Sequence, residues 1–154
     1  MNRRPRILVL CTVSTGLDAV KAVLASSDAV VALVGVHPDQ GDTKAISGYL
    51  DIRGFCGENG VLAHLVQSYT LSNAADRAAI EALEFDLIWV AGWQRLIPQW
   101  LIEHAPLGAI GSHGSPDGII GGRGRSPQNW ALLLGCRRFD LALFRITSGV
   151  DEGP

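Results

Sequence analysis

Three apolar runs constrain this chain most: Arg6–Cys11 (RILVLC), Ala29–Val36 (AVVALVGV) and Phe85–Ala91 (FDLIWVA). Each is far shorter than a membrane span and too uniformly apolar to lie on a surface, as expected for a strand buried on both faces. Further strands are expected at Val61–Val66, Gly108–Ser112 and Phe139–Thr147. Helical spacing lies between them. Leu17, Val20, Val23 and Leu24 share one side of a helix over Leu17–Ala25. A second helix is expected over Ser47–Asn59, stopping at Gly60, and Asn73 is placed to cap a third over Ala74–Leu83. Short helices follow over Gln99–His104 and, opened by Ser126 and Pro127, over Gln128–Leu134.

Strands that alternate with helices predict an α/β fold with a doubly wound, Rossmann-like, mostly parallel sheet flanked by helices. The 154 residues suit one domain, 1–154. No helix follows the last strand, so the sheet is expected to be cut short at its C-terminal end. The open strand edge this leaves suits a homodimer. With 47% hydrophobic and 18% charged residues the chain is no disordered segment. Its net charge of −2 supplies no basic field for nucleic acid, and no apolar run is long enough for a membrane. Cys11, Cys56 and Cys136 are odd in number and widely spaced, which suits reduced thiols in the cytoplasm. Arg3, Arg4 and Arg6 read as solvated terminal residues.

The chemistry is expected where strands end. The stretch from Gly108 to Pro127, GAIGSHGSPDGIIGGRGRSP, carries His113 out of an apolar run into a segment too rich in turn formers for helix or strand. Open α/β sheets bind ligands at the carboxyl ends of their strands, so His113 is either a site residue or an incidental loop histidine. Gly92–Pro98 (GWQRLIP) follows the fourth strand at the same sheet edge. There Trp93 is either a wall for a flat heterocycle or an aromatic capping the core. The first strand–helix turn, Cys11–Gly16, has neither a dinucleotide fingerprint nor a P-loop, which disfavours a dehydrogenase. Thr12, Ser14 and Thr15 there read as capping residues or as donors to an anion. His37, His64 and His104 stand apart with no metal-ligand spacing, and each reads as a surface or hydrogen-bonded histidine. Asp151 follows the last strand on a Gly-flanked turn and meets His113 if the fifth and sixth strands adjoin.

Taken together, these segments resemble the folate-dependent formyltransferases, whose pattern is N-x-H-x-S-L-L-P-x-x-R-G-x-x-P followed by an Asp in a V-D-x-G-P-like turn. His113, Ser115, Arg123, Gly124 and Pro127 fall on the first part, and Val150-Asp151-Glu152-Gly153-Pro154 on the second. Trp93, Arg95, Leu96 and Ile97 are similar to the family's folate-contacting loop. The chain departs from the pattern at the Asn two residues before the histidine, which is Gly111, and at the S-L-L-P run. The loop before Arg123 is two residues longer, and Asp151 arrives two residues later, so one insertion accounts for both shifts.

The resemblance implies an N-terminal catalytic domain that moves a formyl group from N10-formyltetrahydrofolate to a primary amine, with no metal. His113 and Asp151 would be catalytic. Trp93, Arg95, Leu96, Ile97, Ser148, Gly149 and Val150 would hold the folate. The GW-x-x-LIP loop and the RGRSPQNW stretch lean toward the amino-sugar branch, and so to a small-molecule amine rather than a nucleic acid. Two other readings share these residues: a hydrolase passing formyl to water, and a folate or nucleotide binder that lost catalysis with the Asn.

Overall fold

A computed structural model describes residues 3–118, 124, 126–147 and 149. The described strands are β1 (Ile7–Leu10), β2 (Val30–Val36), β3 (Leu62–Val66), β4 (Leu87–Val90), β5 (Ala109–Ser115) and β6 (Asp140–Ile146). They form one sheet in the order β3-β2-β1-β4-β5-β6. β1 to β5 run parallel, and β6 runs antiparallel to β5. The chain winds outward from β1 to β3 and then returns to lay β4 on the other side of β1, so the strand order reverses at β1 and β4. In doubly wound sheets a ligand crevice opens at such a point. The described helices are α1 (Ser14–Leu24), α2 (Arg53–Asn59), α3 (Ala74–Glu81), α4 (Gln99–His104) and α5 (Pro127–Leu133), with a 3-10 turn over Gly41–Ala45. No described helix is long and apolar enough to cross a membrane.

The mostly parallel α/β architecture read from the apolar runs is the one that forms. Alternation along the central strands feeds two cores. Leu8, Leu10, Val34 and Ile88 pack on one face, and Val9, Cys11 and Leu33 on the other. Asn73 caps α3 as expected, its Oδ1 accepting from the backbone N–H groups of Ala75 (2.8 Å) and Asp76 (3.3 Å). Gly60 ends α2 in the left-handed conformation, φ 65°. The amino-terminal arginines are paired: Arg3 with Asp86 at 2.8 Å, Arg6 with Glu84, and Arg4 with Asp28 at 3.6 Å.

Two segments differ from expectation. The helix expected over Ser47–Asn59 begins only at Arg53. Its first part is held out of the helix: Gly48 turns with φ 72°, the Leu50 N–H donates to the Thr12 carbonyl at 2.8 Å, and the Tyr49 hydroxyl donates to the Val36 carbonyl at 2.8 Å. Tertiary hydrogen bonds here override helical spacing. The strand expected over Gly108–Ser112 instead runs to Ser115, so His113 lies within a strand and not in a loop. Antiparallel pairing explains it, because β6 supplies partners for every residue of β5, including Ala142 opposite His113. A glycine- and serine-rich sequence forms a strand when its neighbour completes the ladder.

The extension of β5 shapes the molecule. Its last partner on β4 is Val90, opposite Gly111. Ser112–Ser115 therefore pair with β6 alone and project past the carboxyl end of β4 as a two-stranded ledge. His113 stands on that ledge.

Candidate active site

Between the ledge and the loop that follows β4 lies a cavity of about 740 Å³. Trp93, Gln94, Arg95, Leu96 and Ile97 form one wall. Gly111, Ser112 and His113 of β5 form the second, and Phe144, Ile146, Thr147 and Gly149 the third. The cavity thus joins His113, the Trp93–Ile97 loop and Gly149, three elements distant in sequence. Ser148, Val150 and Asp151, and Arg123 of the motif, lie outside the described residues.

The Trp93–Ile97 wall is held from behind. The Thr12 hydroxyl, fully buried, donates to the Gly92 carbonyl at 2.9 Å, which ties the end of β1 to the turn after β4. Gly92 makes that turn with φ 89°, a conformation that suits glycine. Gly16, in the first turn of α1, packs so closely that a Cβ there would stand 1.9 Å from the Ala91 carbonyl oxygen. The Gln94 N–H donates to the Tyr69 hydroxyl at 2.6 Å, and the Gln94 side chain donates to the Ser47 carbonyl at 2.9 Å. Arg95 places its guanidinium 4.9 Å from the Tyr69 ring centre, a cation–π contact. Trp93 meets the same ring edge-on at 4.7 Å. Tyr69, only 1% exposed, is therefore the post behind the loop. Sequence reasoning missed it, because its sole signal is an aromatic in a Ser/Thr-rich turn.

Thr12, Ser14 and Thr15 are not caps. α1 starts after Val13 without a side-chain cap, and Thr12 is spent on Gly92. Trp93 is 6% exposed and packs into the core, as a capping aromatic does, and it also lines the cavity. Leu96, 71% exposed, projects from the loop, whereas Arg95 and Ile97 are half-buried.

His113 is half-buried and shares the cavity-facing side of the ledge with Gly111, Phe144 and Ile146. The alternation of β6 shows why: Leu141 and Leu143 are exposed, while Ala142, Phe144 and Ile146 turn inward. Beside Gly111 the space is taken. A Cβ there would stand 3.1 Å from Ile146 Cδ1 and 3.6 Å from Phe144 Cε1. A larger residue at this position would have to displace those side chains by a few tenths of an ångström.

The other titratable groups stand elsewhere. His37 accepts from the Asp39 N–H at 3.3 Å, and His104 packs against the Phe85 ring. His64 is not hydrogen-bonded as expected: its Nε2 is buried without a partner, and burial pushes its pKa below the usual histidine value. Burial raises the Cys11 and Cys56 thiols to about 11, so neither is a nucleophile at neutral pH. Among the described residues no cluster of His, Cys, Asp or Glu is arranged to hold a metal ion.

The formyl transferase family matches residues 6–154, nearly the whole chain. This chain belongs to the formyl transferase family. Among curated relatives, a methionyl-tRNA formyltransferase of Desulfotalea psychrophila is 29% identical over 150 residues, 96% of this chain and 45% of that one. Another from Koribacter versatilis is 37% identical over 82 residues, 53% of this chain and 26% of that one. The formyl transferase chain described here thus spans less than half the length of these relatives. Solved structures share its fold, among them the following two. Glycinamide ribonucleotide transformylase 1 from Symbiobacterium toebii superposes with a TM-score of 0.74 at 22% identity, over 100% of this chain and 71% of that one. A formyltetrahydrofolate deformylase from Pseudomonas putida KT2440 gives 0.72 at 18%, over 100% and 53%.

Proposed function

We propose that this formyl transferase chain passes a formyl group from N10-formyltetrahydrofolate to the primary amine of a small molecule, an amino sugar or a similar compound, in the cytoplasm. The observation that carries the proposal is the cavity that gathers His113, the Trp93–Ile97 loop and Gly149. Its size and its mixed aromatic and polar walls suit a flat heterocycle with a polar rim. The net charge of −2 supplies no field for tRNA, which favours a small acceptor over the nucleic acid named for the curated relatives.

The donor supplies a formyl group on nitrogen, whose carbon the amine attacks. As the new C–N bond forms, negative charge develops on the formyl oxygen. His113, as an N–H donor or an imidazolium, stabilises that charge, the type of interaction worth ~10²–10³ in rate per donor. Asp151 orients His113 and receives the proton shed by the amine. The C–N10 bond then breaks, N10 takes a proton, and the formylated amine and tetrahydrofolate leave. Arg95, Leu96, Ile97, Ser148, Gly149 and Val150 hold the folate, largely through loop backbone groups.

One observation favours a second reading, binding without transfer. The space beside Gly111 is filled by Ile146 and Phe144, so no polar side chain assists His113 from that position. Product analysis separates the readings. Incubation with the formyl donor and an amino sugar yields formylated amine if the proposal holds. Free formate indicates transfer to water, and saturable binding with no product indicates a binder.

A further inference from the structure

β5 carries ladder groups that β4 does not use, and they border the cavity. In a strand, successive residues turn their backbone N–H and C=O to opposite edges. The Ile88 N–H donates to the Gly108 carbonyl at 3.0 Å, so Gly108 aims at β4. In step with it Ile110, Ser112 and Gly114 aim at β4, while the residues between them aim at β6. The last bridge joins Val90 to Gly111. Past it, a continued β4 would donate an N–H to the Ser112 carbonyl and accept from the Gly114 N–H. Gly92 stands at that point in sequence and has turned away. Its φ is 89°, and its carbonyl accepts from the Thr12 N–H at 3.3 Å and from the Thr12 hydroxyl at 2.9 Å. Among the described residues no other group takes its place on Ser112 or Gly114. This open rung lies past Val90 and beside Ser112 and His113, all three of which line the cavity. Alternation turns the Ser112 side chain to the far face with Leu143, so its share of the cavity wall is backbone.

We infer that this open rung receives the acceptor and selects amines that carry an oxygen on the neighbouring carbon. A continued β4 would offer the rung a nitrogen and an oxygen on adjacent carbons, N–Cα–C=O. An amine with a vicinal hydroxyl, as in an amino sugar, presents the same pair. Its N–H donates to the Ser112 carbonyl, and its hydroxyl oxygen accepts from the Gly114 N–H. Open strand edges recognise extended peptides through the same backbone groups. Spending one N–H on Ser112 leaves the lone pair of the nitrogen free and holds the amine beside His113. The inference rests on the transfer reading above and extends it from the formyl donor to the acceptor.

The test follows ¹³C-formyl transfer from N10-formyltetrahydrofolate to two amines. One is glucosamine, and the other is its analogue with hydrogen in place of both hydroxyls that flank the amine. Wild type should show a kcat/KM about tenfold lower for the analogue, the scale of one hydrogen bond, with the same KM for the folate. Gly114→Pro removes the N–H at a strand edge, where proline is tolerated, and Gly114→Ala keeps it. A Cβ at this position stands 2.4 Å from Cε1 of Phe139, an exposed ring that can swing aside, so alanine controls for the crowding. The handicap of the analogue should vanish in Gly114→Pro and persist in Gly114→Ala. In ¹⁵N-glycine-labelled wild type, the Gly114 amide resonance is the one lost in Gly114→Ala. It should move downfield with glucosamine and stay in place with the analogue, a readout that does not depend on Gly114→Pro folding. Equal kcat/KM for the two amines in wild type, an unmoved resonance, or an undiminished handicap in folded Gly114→Pro overturns the inference and leaves formyl transfer standing. Formylation of neither amine overturns the transfer reading and this inference with it.

Discussion

His113 owes its position to a strand that glycine and serine build. Its backbone is fixed opposite Ala142, and its side chain faces a cavity rather than the core. Other residues are placed so that they stay out of the chemistry. Cys11 and Cys56 are buried with thiols raised to about 11, whereas Cys136 is exposed. Thiol titration with Ellman's reagent at pH 8 should therefore count one reactive cysteine in the folded protein and all three after denaturation. Labelling of Cys11 before unfolding would contradict this packing. His64 sets a pH response. Its folded pKa is lowered by burial, so the unfolded chain binds the proton more readily. The stability it contributes is complete above the unfolded value of about 6.5 and declines as pH falls below it. The melting temperature should drop as pH falls below about 6.5, and His64→Gln should flatten that drop. An unchanged slope in the variant would assign the response to other groups.

At the scale of elements, caps and ties matter more than propensity. Asn73→Ala should cost ~1 kcal/mol, read as a shift of the urea midpoint, because the Asn73 side chain satisfies two N–H groups of α3. The strands and α3 were legible in the sequence because apolar runs and a capping asparagine are local signals. α4 was legible over its full length, Gln99–His104. The segments that were not legible depend on distant partners. Residues 47–52 have helical spacing but are spent on Thr12 and Val36, and Gly114–Ser115 look like loop until β6 pairs with them. The site divides in the same way. His113, Trp93, Arg95, Leu96 and Ile97 were read from motifs, and all line one cavity. Tyr69, which orders that loop, was not read, because nothing in its surrounding sequence refers to residue 94. Phe144 and Ile146 follow from the period-two alternation of β6, which shows only when the register is known.

The whole molecule is finished unevenly. β1 is buried on both faces, while β6 and α5 leave Leu132, Leu133, Leu134, Leu141 and Leu143 each more than 70% exposed. Exposed apolar patches beyond a few hundred Å² mark association surfaces. Light scattering should therefore find the chain self-associated, as a dimer or larger, with Leu133→Glu combined with Leu143→Glu shifting it toward monomer. A monomeric wild type would contradict that. We propose that formyl transfer takes place in the cavity beneath the ledge, with His113 performing the transfer chemistry. It is tested most directly by following ¹³C-formyl transfer from N10-formyltetrahydrofolate to an amino sugar with wild type and His113→Ala. Wild type should yield formylated amine and the variant a rate at least 100-fold slower, of the order expected for loss of an oxyanion donor, at an unchanged melting temperature. A folded His113→Ala protein that retains more than about a tenth of the wild-type rate, a barrier change under ~1.4 kcal/mol, would contradict it.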